Sequence, residues 1–167
     1  PGATNVLRSG NRLAAILTLL LDAAKGAAAV LIARFLAERL GYADGVVALA
    51  GLGAFLGHLY PVFFRFQGGK GVATAAGVLL ALGAGVGLAS LGTWLLVALA
   101  TRYSSLAALV TALLAPVYVH LFHGDRQIVA AVAVMSVLLV WRHRANIVKL
   151  LNGTESKLGS KAAKPGA

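Results

Sequence analysis

Apolar residues gather into stretches separated by short polar breaks, at about 13–36, 46–64, 72–87, 88–100, 106–122 and 128–141. A membrane-spanning helix needs about 20 predominantly apolar residues, with a range of about 17–25. The pattern therefore predicts a polytopic all-α bundle with six spans, the third to sixth of them short. The 72–100 region admits two readings, one long kinked helix or a hairpin bent at Gly83, Gly85 and Gly87.

Positive charge decides between them. With six spans and the N-terminal segment in the cytoplasm, Arg8, Arg12, Arg65, Lys70, Arg102, Arg142, Arg144, Lys149, Lys157, Lys161 and Lys164 fall inside. Only Arg34, Arg39 and Arg126 fall outside, and Lys25 lies within the first span. This distribution obeys the rule that basic loops stay on the cytoplasmic side. A single helix over 72–100 would strand the C-terminal basic cluster outside, so the hairpin is expected and both visible termini are placed in the cytoplasm.

Composition supports lipid as the solvent. Residues of the AVILMFWYC set make up 59% of the 167 residues and charged residues 12%, against about 25% charged in soluble domains. A soluble chain near this length buries only about 70% of its unfolded surface, too little to hide so much apolar area. The formal net charge of +10 is compatible with nucleic acid, anionic lipid or an anionic substrate. Its position against the membrane, without interleaved aromatics, argues against nucleic acid. Cysteine is absent, which excludes disulfides, thiol nucleophiles and Cys-ligated metal. The chain opens on Pro1 with no readable signal sequence, and is expected to be a piece that has lost its natural N-terminus. Residues 1–152 are expected to form the membrane-embedded domain, and 153–167 a basic, flexible tail on the anionic leaflet. The 20 glycines are expected to serve close helix packing, Gly53 and Gly57 being a four-residue pair of that kind.

Three polar segments share the cytoplasmic side: 1–8, 65–77 and 142–155. Each joins small or amide residues to fixed positive charge, as binding a dianionic phosphate requires. In the second, Gly68, Gly69 and Gly71 permit backbone conformations closed to other residues and can turn successive N–H groups toward one anion. Lys70 adds a full charge, and a helix beginning near Val72 would add the positive end of its dipole. The Walker A spacing is missing, and a glycine-lysine loop is also what a plain turn with an anchoring lysine looks like. Arg8 reads equally as a topology determinant, and Thr4 and Asn5 as helix caps. His143 and Arg144 could simply meet headgroups, whereas Asn146 suits an orienting hydrogen bond better than an anchor.

Two further pairs need placing. Asp22 and Lys25 lie one turn apart within the first span, where charge is costly and marks function by default. The alternative is a structural pair whose members neutralise each other. His120 and Asp125 have the H-x4-D spacing of acyltransferases that use a thioester donor, but topology puts them across the membrane from the three segments, and the match is read as chance.

Together the segments resemble the three cytoplasmic motifs of the bacterial membrane-embedded acyl-phosphate:glycerol-3-phosphate acyltransferases. The chain reads PGATNVLR, GHLYPVFFRFQGGKGVATAAG and HRANIVKLLNGTE at the corresponding places, and the similarity covers essentially its whole length. The family is seven-spanning, so the resemblance implies one span and a motif serine ahead of Pro1. It also implies a multi-pass enzyme of the bacterial inner membrane with its active site facing the cytoplasm.

The implied reaction is attack of the 1-hydroxyl of glycerol 3-phosphate on acyl phosphate, giving lysophosphatidic acid and phosphate. Carried over by position, Arg8 and Lys70 bind phosphate, Asn146 orients the hydroxyl or leaving phosphate, and His143 positions substrate. Gly68, Gly69 and Gly71 shape the loop, with Thr4, Asn5, Ser104 and Ser105 as further substrate contacts. Glu155 is structural, while Asp22 and Lys25, outside the three motifs, are read from the residues themselves as a structural pair. No metal and no cofactor are implied, the partners are the two substrates and membrane lipid, and oligomeric state is left open. The competing class is a small transporter or phosphate-lipid binding subunit, which would require a polar pathway through the spans.

Overall fold

The computed structural model describes residues 2–8 and 10–159, and for Asn5 and Arg8 the backbone alone. The described chain is helical: α1 (Ala3–Arg8), α2 (Arg12–Leu40), α3 (Gly45–Leu59), α4 (Val72–Leu82), α5 (Ala84–Thr101), α6 (Ser104–Phe122), α7 (Arg126–Arg142) and α8 (Arg144–Leu151). Asn11 caps α2, its Oδ1 accepting the Ala14 N–H at 2.9 Å, which leaves the capping role considered for Thr4 and Asn5 without application there.

Four helical segments are long and apolar enough to cross a membrane among the described residues: Arg12–Leu40, Gly45–Phe64, Ala84–Thr101 and Ser104–Phe122. The pair Arg126–Arg142 and Arg144–Leu151, bent by 57°, makes a fifth when taken as one span. Large apolar side chains point outward over these helices, Leu96 at 71% and Val137 at 69% exposed. In water this surface would cost heavily; against acyl chains it costs nothing, because lipid tails are as apolar as the side chains.

The 72–100 region is a hairpin, and it breaks at Gly83 between α4 and α5. With 11 residues, α4 is about 16 Å long at 1.5 Å per residue, half the roughly 30 Å hydrocarbon layer. Its last carbonyls have no intrahelical donors. Arg34 of α2 meets one of them, its Nη2 donating to the Leu82 carbonyl at 2.8 Å.

Helix α4 packs directly on α2 through glycines. A Cβ at Gly26 would overlap the Thr74 carbonyl, and one at Gly77 the Ala23 carbonyl. The expected pair is a different one and is corrected here: among the described residues nothing lies within 4 Å of a Cβ at Gly53 or Gly57. Their four-residue spacing marks one face of α3, but among the described residues no helix packs against these two glycines. The core joins Val30, Phe55, Leu59, Val78, Val86 and Val119 between these helices. Connectivity puts the α3–α4, α5–α6 and α7–α8 junctions at one end of the bundle, with α1 beside the start of α2.

Candidate active site

The α3–α4 connection folds back over the end of α3. A Cβ at Gly68 would meet the carbonyls of His58 and Leu59, and one at Gly71 the rings and methyls of Phe55 and Leu59. Gly71 is left-handed at φ 85°, a conformation glycine adopts without the clash of a side chain. Arg142, the last residue of α7, fixes the loop from the other side. Its Nη2 donates to the carbonyls of Gly68 at 2.7 Å and Gly69 at 3.0 Å, and its Nε to Gly69 at 3.2 Å. With these carbonyls held, the loop leads directly into the first turn of α4, whose N–H groups lack intrahelical acceptors.

Lys70 is thereby aimed at the third segment. Its Nζ donates to Asn146 Oδ1 at 2.6 Å. Asn146 Nδ2 donates onward to Glu155 Oε1 at 2.9 Å, and Ser105 Oγ donates to the same oxygen at 2.8 Å. Asn146, Glu155 and Ser105 are buried, and the chain of bonds sets the amide's orientation, because its oxygen must face the ammonium and its nitrogen the carboxylate. His143, also buried, has Nδ1 2.8 Å from the Leu139 carbonyl. A carbonyl only accepts, so Nδ1 carries the proton and a neutral ring offers Nε2 as an acceptor.

These groups rim a cavity of about 420 Å³ that enters between α4, α5, α6 and α7. Thr4, Gly68, Gly69, Lys70, Gly71, Ser104, Ser105, His143, Asn146 and Glu155 all line it. Deeper in, the wall turns apolar with Leu79, Leu91, Ala112, Met135 and Leu139. A polar, positively charged mouth over an apolar slot fits an amphiphile with an anionic head.

Known proteins match this chain over nearly its whole length. A family described as "Glycerol-3-phosphate acyltransferase" matches residues 1–153. Curated proteins of that name include one from Ralstonia nicotianae, 65% identical over 161 residues, covering 96% of this chain and 78% of the relative. Another, from Thiobacillus denitrificans, is 57% identical over 162 residues, covering 97% and 81%. The chain belongs to the glycerol-3-phosphate acyltransferase family.

It is thus an acyltransferase, and its part in phospholipid synthesis follows from that activity. The structure matches a crystal structure of PlsY (YgiH), an integral membrane glycerol 3-phosphate acyltransferase, in its glycerol 3-phosphate form. That match has TM-score 0.88 and 39% identity, over 95% of this chain and 78% of that one. The lysophosphatidic acid form matches at TM-score 0.87 and 39% identity, over 95% and 79%. With several apolar helices long enough to cross a membrane and an integral membrane protein as its structural match, the chain is a multi-pass membrane protein.

The structure distributes the remaining candidates as follows. The side chains of Arg8 and Asn5 lie outside the described residues, as do Lys161 and Lys164. Residues 155–159 are tied to the bundle: besides the Glu155 contacts, the Leu158 N–H donates to the Arg102 carbonyl at 2.6 Å. His120 is exposed at the opposite end of the helices. Asp125 caps α7 there, accepting the N–H groups of Gln127 at 2.8 Å and Ile128 at 2.9 Å, which gives the carboxylate of the H-x4-D pair a structural occupation.

Sequence reasoning missed two features. Arg142 counted only as a cytoplasmic charge, and nothing in RHR separates a residue that clamps carbonyls from one that meets headgroups. His58 was given no role, whereas it lines the cavity together with Asp22.

Proposed function

We propose that this site transfers an acyl group from acyl phosphate to the 1-hydroxyl of glycerol 3-phosphate, giving lysophosphatidic acid and inorganic phosphate. The observation that carries the reading is the Lys70–Asn146–Glu155–Ser105 chain of hydrogen bonds at the mouth of an apolar slot. Acyl phosphate is an activated mixed anhydride, so the protein need mainly hold two phosphate-bearing molecules in line and stabilise developing charge.

In this reading the glycerol oxygen attacks the acyl carbonyl carbon and the bond from that carbon to the phosphate oxygen breaks. The departing phosphate takes the electron pair and then the hydroxyl proton. Lys70 and Arg8 neutralise phosphate, with Gly68, Gly69 and Gly71 giving backbone room around it and Thr4, Asn5 and Ser104 as further contacts. Asn146 orients the attacking hydroxyl, whose hydrogen can point to Nε2 of His143. Ser105 and Glu155 hold Asn146, and the slot takes the acyl chain.

The same reading gives six spans in this chain, with both ends and the site on the cytoplasmic side of the bacterial inner membrane. A cysteine-free sequence suits its test: single cysteines at Arg65 and at Gly124 should label from opposite sides. The function itself is tested by donor choice. Purified full-length protein in liposomes receives labelled glycerol 3-phosphate with acyl phosphate, acyl-CoA or acyl carrier protein. Product is expected from acyl phosphate alone; product from the thioesters only would overturn the reading.

A further inference from the structure

Asp22 and Lys25 are a turn apart on α2, and the structure adds a third member to the pair. Lys25 Nζ is 2.6 Å from Asp22 Oδ1 and 2.7 Å from Nδ1 of His58, in the last turn of α3. An ammonium group has donors and no acceptor. Nδ1 therefore accepts from Lys25, and the imidazole carries its proton on Nε2. That atom lies against the glycine loop, where a Cβ added at Gly69 would overlap it. The His58 side chain is only 9% exposed, and His58, Asp22, Gly69 and Lys70 line one cavity.

The two cavity histidines are consequently set in opposite senses. His143 commits its Nδ1 proton to the Leu139 carbonyl and turns an acceptor inward, while His58 Nδ1 accepts a hydrogen bond from Lys25 and the ring turns a donor inward. A donor fixed by a second residue beside a glycine loop has an obvious ligand in an anion. Asp22, 3.4 Å from Nδ1 of His58, completes the arrangement by anchoring Lys25.

We propose that His58 is a further phosphate ligand of this site, a directed N–H donor that Lys25, anchored by Asp22, locks in the Nε2–H tautomer. The inference rests on the phosphate-binding reading of the loop and names a residue and a tautomer that reading does not require. The ligand is a phosphate oxygen, of glycerol 3-phosphate or of acyl phosphate, and the kinetics separate the two. Lys25 and Asp22 act through His58 and are positioning residues.

The test uses the full-length protein. His58→Phe keeps a ring of similar size without an N–H; His58→Gln keeps a donor at comparable reach. Losing one hydrogen bond to a charged group should raise the KM of one phosphate substrate roughly tenfold or more, with Gln recovering most of it. The substrate whose KM moves is the one His58 holds. A fall in kcat with both KM values unchanged in both variants would overturn the proposal. Nitrogen-15 NMR of labelled histidine, assigned by difference with His58→Gln, should find Nε2 protonated and Nδ1 bare. The Nε2 resonance should shift on adding inorganic phosphate or glycerol 3-phosphate. A ring protonated on Nδ1 alone, or a resonance unmoved at saturating concentrations of both ligands, would equally overturn it. The NMR arm needs no turnover, so it judges His58 even where acyl phosphate fails as a donor, a failure that would defeat only the proposed function.

Discussion

Replacing Lys70 separates a phosphate-holding lysine from one that merely marks topology. Its ammonium donates to Asn146 Oδ1 at 2.6 Å and stands at the cavity mouth beside the loop glycines. Lys70→Ala removes the charge and withdraws the donor that orients Asn146. A hydrogen bond to a charged group contributes about 1.5–3 kcal/mol, which is roughly tenfold to more than a hundredfold in rate. Lys70→Arg keeps the charge and should still fall close to Ala. The loop has little room to adjust, since side-chain space is occupied by His58 at Gly69 and by Phe55 and Leu59 at Gly71, while Arg142 pins two of its carbonyls. A planar, wider guanidinium makes paired contacts and does not replace a compact ammonium in such a place. The assay is phosphate release from acyl phosphate at varied glycerol 3-phosphate, with membrane insertion measured in parallel. Full activity in the Arg variant, at normal insertion, would remove Lys70 from the site.

Glu155→Ala takes the shared acceptor from Asn146 and Ser105. Leaving a buried polar group unpaired costs about 1–3 kcal/mol, so both the melting temperature in detergent and turnover should drop, with Glu155→Gln in between. An unchanged melting temperature would contradict the buried network. His120→Ala should leave turnover within about threefold of wild type, whereas Asp125→Ala should cost about 1 kcal/mol of stability through its lost helix cap with turnover preserved. A hundredfold loss of activity in either, the low end of what a general base contributes, would restore H-x4-D as a working pair.

The helical hairpin was legible because charge parity demanded it, and Gly83 is one of the three glycines where a bend was expected. The early end of α4 was not, since the donor that meets its Leu82 carbonyl, Arg34, comes from a helix 48 positions away. Glycine spacing misled at Gly53 and Gly57 for a related reason. Spacing within one helix names a face, and only the partner decides whether that face is used, as it is at Gly26 and Gly77. Near the loop, local chemistry pointed to Lys70 and Asn146, two residues that the fold brings together across 76 positions. The clamp from Arg142 and the contact from Lys25 to His58 are equally non-local but carried no local signal. Arginine after a span is ordinary, and a histidine at a helix end has many harmless explanations.

If the site works as proposed, phosphate and lysophosphatidic acid arise together in one transfer. Phosphate released and lysophosphatidic acid formed should be measured in the same reaction, from acyl phosphate and glycerol 3-phosphate with purified full-length protein, the lipid by mass spectrometry and the phosphate by a coupled assay. Equal amounts are expected at every time point, with the acyl group on the 1-hydroxyl and neither product without glycerol 3-phosphate. Phosphate released without lysophosphatidic acid would mean hydrolysis, and would contradict it.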